Sequence, residues 1–152
     1  QINALQGGGF VLCSYGTDRV RIYDDDATQL GEQSSGIAGT TNAYGCNQLP
    51  NGNIATSWDG TTDTIKIYDS TLTTELYSFN DSSYMNSPRG IGVKSNGNLL
   101  VGDTGYDWII EITGTGEFVR VFSQGYFNDP RTQRREQHSS IFDYVCCPYK
   151  AI

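Results

Sequence analysis

Gly97-Asn98-Leu99-Leu100-Val101-Gly102, followed after a polar turn by Trp108-Ile109-Ile110-Glu111-Ile112-Thr113, is the stretch that decides the fold. It reads as a tight turn, a short apolar strand, an acidic turn and a second strand. The same order recurs upstream. Gly52-Asn53-Ile54-Ala55-Thr56-Ser57 is followed by Thr64-Ile65-Lys66-Ile67-Tyr68-Asp69, and Gly9-Phe10-Val11-Leu12-Cys13-Ser14 by Arg19-Val20-Arg21-Ile22-Tyr23-Asp24. Taking Gly9, Gly52 and Gly97 as anchors, the copies lie 43 and 45 residues apart. A period of this length marks a repeat architecture, in which each copy is one supersecondary unit.

Each copy divides into four short strands. In the third, Gly90 to Val93 is the first strand, Asn98 to Gly102 the second, Trp108 to Thr113 the third and Glu117 to Phe122 the fourth. The Asn-Gly pairs at Asn51-Gly52 and Asn96-Gly97 predict two-residue type I′ hairpin turns, whose central residues both need positive φ. Alternation in Val20-Arg21-Ile22 and Ile65-Lys66-Ile67 turns one face inward and a cation outward. Composition agrees, with 18 Gly and 10 Tyr against a single Met, because turn-forming and aromatic residues favour short strands over helices.

The third copy resembles an NHL repeat. Ser87-Pro88-Arg89-Gly90-Ile91-Gly92-Val93 matches the family's opening, and Val101-Gly102-Asp103-Thr104-Gly105 its Val-x-Asp-Thr-Gly turn, with Trp108-Ile109 and Gly116-Glu117-Phe118 after it. The second copy opens instead with Tyr44-Gly45-Cys46, and the first is shortened around Tyr15-Gly16-Thr17-Asp18. The resemblance covers about residues 1–124. It implies β-propeller blades, usually six to a ring, used as binding domains in tripartite-motif ubiquitin ligases and as scaffolds of peptide-amidating lyases. The lyases' His, Tyr, Arg and metal ligands map onto no residue here, so the resemblance implies no catalytic residue, metal or cofactor.

The expected fold is therefore all-β: a half-propeller array of three four-stranded antiparallel blades (1–43, 44–86 and 87–124). Residues 125–152 form a polar linker and a cysteine-bearing tail that could add a strand or cap a face. A propeller typically closes with four to eight blades. Three leave two open apolar faces, and no polar cap is evident in the sequence. Two chains pairing into a ring, heterologous stacking into a fibre, or membership of a longer polypeptide would each answer this.

A net charge of −7 argues against a nucleic-acid surface, which needs clustered cations to neutralise phosphates. No stretch approaches the roughly 18 apolar residues of a membrane-spanning helix. Cys13, Cys46, Cys146 and Cys147 lack zinc-site spacing and are disulfide candidates, with their pairing open. Together with the sequon at Asn80, a glycosylation candidate, they point to an extracellular protein. Gln1 reads as a processed terminus or an arbitrary boundary.

Asp18, Asp59, Asp63, Asp103 and Asp107 recur in the turns between second and third strands. Calcium or glycan hydroxyls could bind such loops, but Asp also accepts backbone N–H bonds in turns, and no calcium-loop spacing is present. Asp24-Asp25-Asp26 reads as a solvated turn, and His138 lies in a polar run without triad geometry. Tyr15, Trp58 and Tyr106 fall in equivalent turns and are candidate binding residues of one rim. The functional expectation is a non-enzymatic module that binds itself or a protein or glycan partner. The alternative is a piece of a longer propeller enzyme, a lyase or hydrolase, with its active residues on other blades.

Overall fold

The computed structural model describes residues 1–34 and 40–122. Three four-stranded antiparallel sheets follow one another along the chain, each with its strands in sequence order. The first blade contains β1 (Ile2–Ala4), β2 (Phe10–Ser14), β3 (Arg19–Tyr23) and β4 (Gln29–Ser34). The second contains β5 (Thr40–Gln48), β6 (Ile54–Gly60), β7 (Thr64–Tyr68) and β8 (Glu75–Phe79). The third contains β9 (Pro88–Val93), β10 (Leu99–Asp103), β11 (Trp108–Ile112) and β12 (Phe118–Phe122). Among the described residues there is no helix. The expected all-β, propeller-like array of three blades is what the described residues form.

The repeat register differs by one residue from the sequence reading. Gly52 N–H donates to the Leu49 carbonyl at 2.9 Å and Gly97 N–H to Lys94 at 2.9 Å. In the first blade the matching bond runs from Gly8 to Leu5 at 3.3 Å, so Gly8, not Gly9, is the equivalent glycine. Three consecutive glycines hid the register. The Asn-Gly turns are also not type I′. Gly52 and Gly97 have φ of 90° and 85°, but Asn51 and Asn96 are not among the residues with positive φ. Each loop is a type I turn closed by one left-handed glycine, the three-residue hairpin geometry. Asn51 and Asn96 instead accept the N–H groups of Asn53 and Asn98, both at 3.1 Å.

Because side chains alternate along a strand, every blade has a forward face toward the next blade and a backward face toward the preceding one. Forward residues Val11, Cys13, Val20 and Ile22 pack against backward residues Cys46, Ile54, Trp58 and Tyr68 in one core. Forward residues Ala55, Ile65, Ile67 and Phe79 pack against Ile91, Leu99, Val101, Ile110 and Ile112 in the other. A repeated side-chain clamp crosses both junctions at the innermost strands. Asn3 donates to the Cys46 carbonyl at 2.6 Å, and its equivalent Asn47 to the Ile91 carbonyl at 3.2 Å.

The two outer faces differ from each other. On the third blade's forward face Glu111 replaces the Ile22 and Ile67 of the earlier blades. It is 1% exposed and accepts from Lys94 Nζ at 2.8 Å, Asn98 Nδ2 at 2.7 Å and Arg120 Nε at 2.8 Å. Burial alone would raise this carboxyl, but those three donors hold it down to about 2. A charged, fully hydrogen-bonded group thus sits on this face beside the buried Leu100 and Ile109. The first blade's backward face is open, with Ile2 56% exposed and Phe10, Leu12 and Tyr23 half-buried.

Trp58 is corrected from a rim residue to a core residue. Strand β6 extends three residues beyond its expected end, so the alternation Ile54, Thr56, Trp58 carries the indole onto the backward face, 1% exposed. Its Nε1–H donates to Thr56 Oγ1 at 2.7 Å, which satisfies the one polar atom of the ring. Trp58→Ala should lower stability by about 3–5 kcal/mol through the cavity it leaves. Urea unfolding checks this; a loss under about 1 kcal/mol, the scale of ordinary surface substitutions, would contradict it.

Candidate functional site

The turns joining second to third strands, and the connection from β8 to β9, meet along one rim. Local backbone chemistry holds them there. Asp103, 0% exposed, accepts the N–H of Asn86 at 2.6 Å through Oδ2 and of Tyr106 at 2.9 Å through Oδ1. Thr104 binds the Ser87 carbonyl through both its N–H and its hydroxyl, each at 3.1 Å, and Gly105 N–H binds the Asn86 carbonyl at 2.8 Å. A Cβ on Gly105 would run into Asn86. The Asp-Thr-Gly sequence is thus a clasp that sews the β8–β9 connection onto the third blade. Asp63 does the same from the second blade, accepting Ser87 N–H at 3.0 Å.

Asp63 and Asp103 therefore act as acceptors of backbone N–H groups. Asp24 likewise caps its own turn, accepting the N–H of Asp26 at 3.0 Å and Thr28 at 2.8 Å. Burial pushes Asp103 up to about 6, against the pull of the Asn86 and Tyr106 N–H groups, with Asp63 adding to the rise. Asp59 is raised too, first by burial and then by the neighbouring Asp63.

Across the axial end of this rim runs a stack that touches all three blades. The Tyr15 ring, 65% exposed, lies 4.9 Å from the Tyr44 ring. The guanidinium of Arg89 sits 3.4 Å over the other partner of that pair, Tyr44, and Arg89 Nη2 pairs with Asp59 Oδ2 at 2.8 Å. Cation–π contact and ion pair together fix the Arg89 head group. Tyr44 and Arg89 occupy equivalent positions, each just before a glycine (Gly45, Gly90) at a register shift of its strand. Bulges of this kind re-aim a side chain away from the regular pleat. Ser57 locks the arrangement, its hydroxyl accepting Gly45 N–H at 2.7 Å and donating to the Arg89 carbonyl at 2.6 Å.

Of the residues expected at the rim, Tyr15 and Tyr106 are there. Tyr106 is 42% exposed, packs on Trp108 with ring centroids 4.7 Å apart, and donates its hydroxyl to the Ser82 carbonyl at 2.9 Å. It stands apart from the Tyr15–Tyr44–Arg89 stack. Tyr44, Ser57 and Arg89 were missed, and for Tyr44 and Arg89 the signal was their shared position before a glycine in the first strands of successive blades. Cys13 and Cys46 lie together in the first junction with unbonded thiols. Asn80 is exposed in the β8–β9 connection. Cys146, Cys147 and His138 fall outside the described residues.

No family model and no curated protein matches the chain. Solved structures do. A protein of unknown function from Bacteroides caccae matches with a TM-score of 0.63 and 18% identity, over 83% of this chain and 46% of its own. A candidate 6-phosphogluconolactonase from Bacteroides fragilis matches with a TM-score of 0.63 and 14% identity, over 78% and 36%. The dihydro-heme d1 dehydrogenase NirN, solved in complex with DHE, matches with a TM-score of 0.53 and 16% identity, over 78% and 25%. At these identities the likeness is one of fold, propeller-like, and the chain spans less than half the length of each.

The raised carboxyl gives a measurable pH dependence. Asp103 holds its proton more tightly folded (about 6) than unfolded (about 3.9), so its favourable contribution is full below pH 4 and is lost as pH rises through 6. Relative to Asp103→Asn, the wild type should lose about 2–3 kcal/mol between pH 4 and 7. Urea titrations of both proteins across that range measure it, and parallel profiles would contradict the assignment.

Proposed function

We propose that the chain is a non-enzymatic, propeller-type module that works by contact, either with further copies of itself or with a protein or glycan partner. The open backward face of the first blade carries this reading. Ile2, Phe10, Leu12 and Tyr23 occupy the repeat positions filled in the second blade by Cys46, Ile54, Thr56 and Tyr68, all of them buried against the first blade. Phe10 and Tyr23 stack at 4.9 Å and leave a flat aromatic surface beside Arg21 and Glu32, paired at 2.5 Å. An apolar face of this kind marks a contact surface. The exposed Tyr15 ring, backed by Tyr44 and Arg89, offers a second one suited to stacking on a sugar ring or a planar side chain. We place the protein outside the cell, a setting supported by the exposed Asn80 sequon and the cysteine content; the NHL resemblance supports the binding role.

A second reading, part of a longer propeller enzyme, draws on the enzyme names among the structural neighbours and on a carboxyl titrating near pH 6. Turnover of a sugar-phosphate lactone by this chain, abolished by Asp103→Asn, would favour it over the contact module.

In native mass measurements at tens of micromolar, the contact reading expects an oligomer or a filament. Leu12→Glu should return it to monomer with an unchanged far-UV spectrum. A monomeric wild type would eliminate assembly and leave the rim. There, Tyr15→Ala should weaken binding on a glycan or protein array at least tenfold without shifting the thermal midpoint, since the ring is exposed. Unchanged binding would remove the rim as well.

A further inference from the structure

The first and second blades meet at two thiols. Cys13 is on the first blade's forward face and Cys46 on the second blade's backward face, 3% and 0% exposed. The Gln1 carbonyl bridges them, accepting Cys13 N–H at 2.8 Å and the Cys46 thiol at 3.6 Å. Both side chains belong to one core cluster, and Cys46 adds to the rise that burial gives the Cys13 thiol. The repeat does not require cysteine here. The equivalents at the next junction are Ser57, which holds the Arg89 carbonyl, and Ile91, which packs in the core. Cysteine at both positions of one junction is therefore particular to these two blades.

We propose that Cys13 and Cys46 form a disulfide that staples the first blade to the second, and that it is made while the junction closes rather than after. Before the blades dock, a thiolate of one cysteine attacks an external disulfide, such as oxidised glutathione or a disulfide-bonded oxidoreductase, and forms a mixed disulfide. The second thiolate then displaces the external thiol. Two S–H bonds are lost and one S–S bond is gained. The two protons pass through solvent to the released external sulfurs, and two electrons reduce the external disulfide, giving two external thiols. Once Val11, Val20 and Trp58 have closed around the pair, neither step can proceed. Burial pushes the Cys13 thiol well up, so little thiolate remains, and no oxidant reaches a side chain sealed from solvent. The redox state present at folding is thus retained in the folded protein. The bond spans 33 positions and restricts the unfolded chain accordingly.

The test uses the full chain with Cys146→Ser and Cys147→Ser, so that only this pair can react. Refolding from denaturant in oxidised and reduced glutathione should give a protein two hydrogens lighter, with the Cys13 and Cys46 peptides joined. Its thermal midpoint should lie about 10 °C above that of the fully reduced protein. The same protein folded under reduction and then placed in the oxidising buffer should keep both thiols for hours, unreactive to iodoacetamide until unfolded. Adding Cys13→Ala should abolish the difference between oxidised and reduced midpoints. Free thiols after oxidative refolding would overturn the staple. Oxidation of the folded, reduced protein as fast as of the unfolded chain would overturn its timing.

Discussion

A four-stranded sheet with apolar residues on both faces cannot stand alone in water, and every other feature of this chain follows from how its blades cover one another. The second blade shows the constraint most directly: all five residues of β7 are buried, Lys66 included. Each aliphatic side chain removed from water at a junction contributes about 1.5–3 kcal/mol. The Asn3 and Asn47 clamps add direction to what is otherwise a non-directional attraction. They tie the innermost strand of one blade to the next and set the order in which faces meet.

The rim is a consequence of that stacking. With innermost strands side by side, their bulged ends bring Tyr44 and Arg89 together although they lie in different blades. The connection between the second and third blades must then cross the rim, and its backbone N–H groups need acceptors. Asp63 and Asp103 supply them, at the cost of burying a carboxylate that titrates near pH 6. Of the residues that look like a cation site in the sequence, Asp63 and Asp103 bind backbone N–H groups and Asp59 pairs with Arg89. The ring of Tyr15 and the apolar backward face of the first blade stay outside these contacts.

The blade pattern was legible because alternation and turn residues are local signals. Val20-Arg21-Ile22 and Ile65-Lys66-Ile67 carry their faces in their spacing, and the structure keeps that spacing. Register was harder: Gly7, Gly8 and Gly9 offer three equal anchors, and only the hydrogen bond to Leu5 distinguishes them. Trp58 was misplaced because a strand end three residues further along moves a side chain from turn to core. The Arg89–Tyr44–Tyr15 stack and the Cys13–Cys46 pair depend on which blade faces align. That is a property of the junction and not of either strand. Glu111 was visible as a departure from the isoleucine of the other copies, but its three donors come from β12 and from the turn after β9, which periodicity does not connect.

If the junctions carry the stability, the second blade should be the last part to open. Native-state hydrogen exchange of the full chain measures this. Amides of β6 and β7 should exchange only through global unfolding, with those of β1 and β4 opening at lower free energy. Exchange of β6 and β7 ahead of the first and third blades would contradict the account.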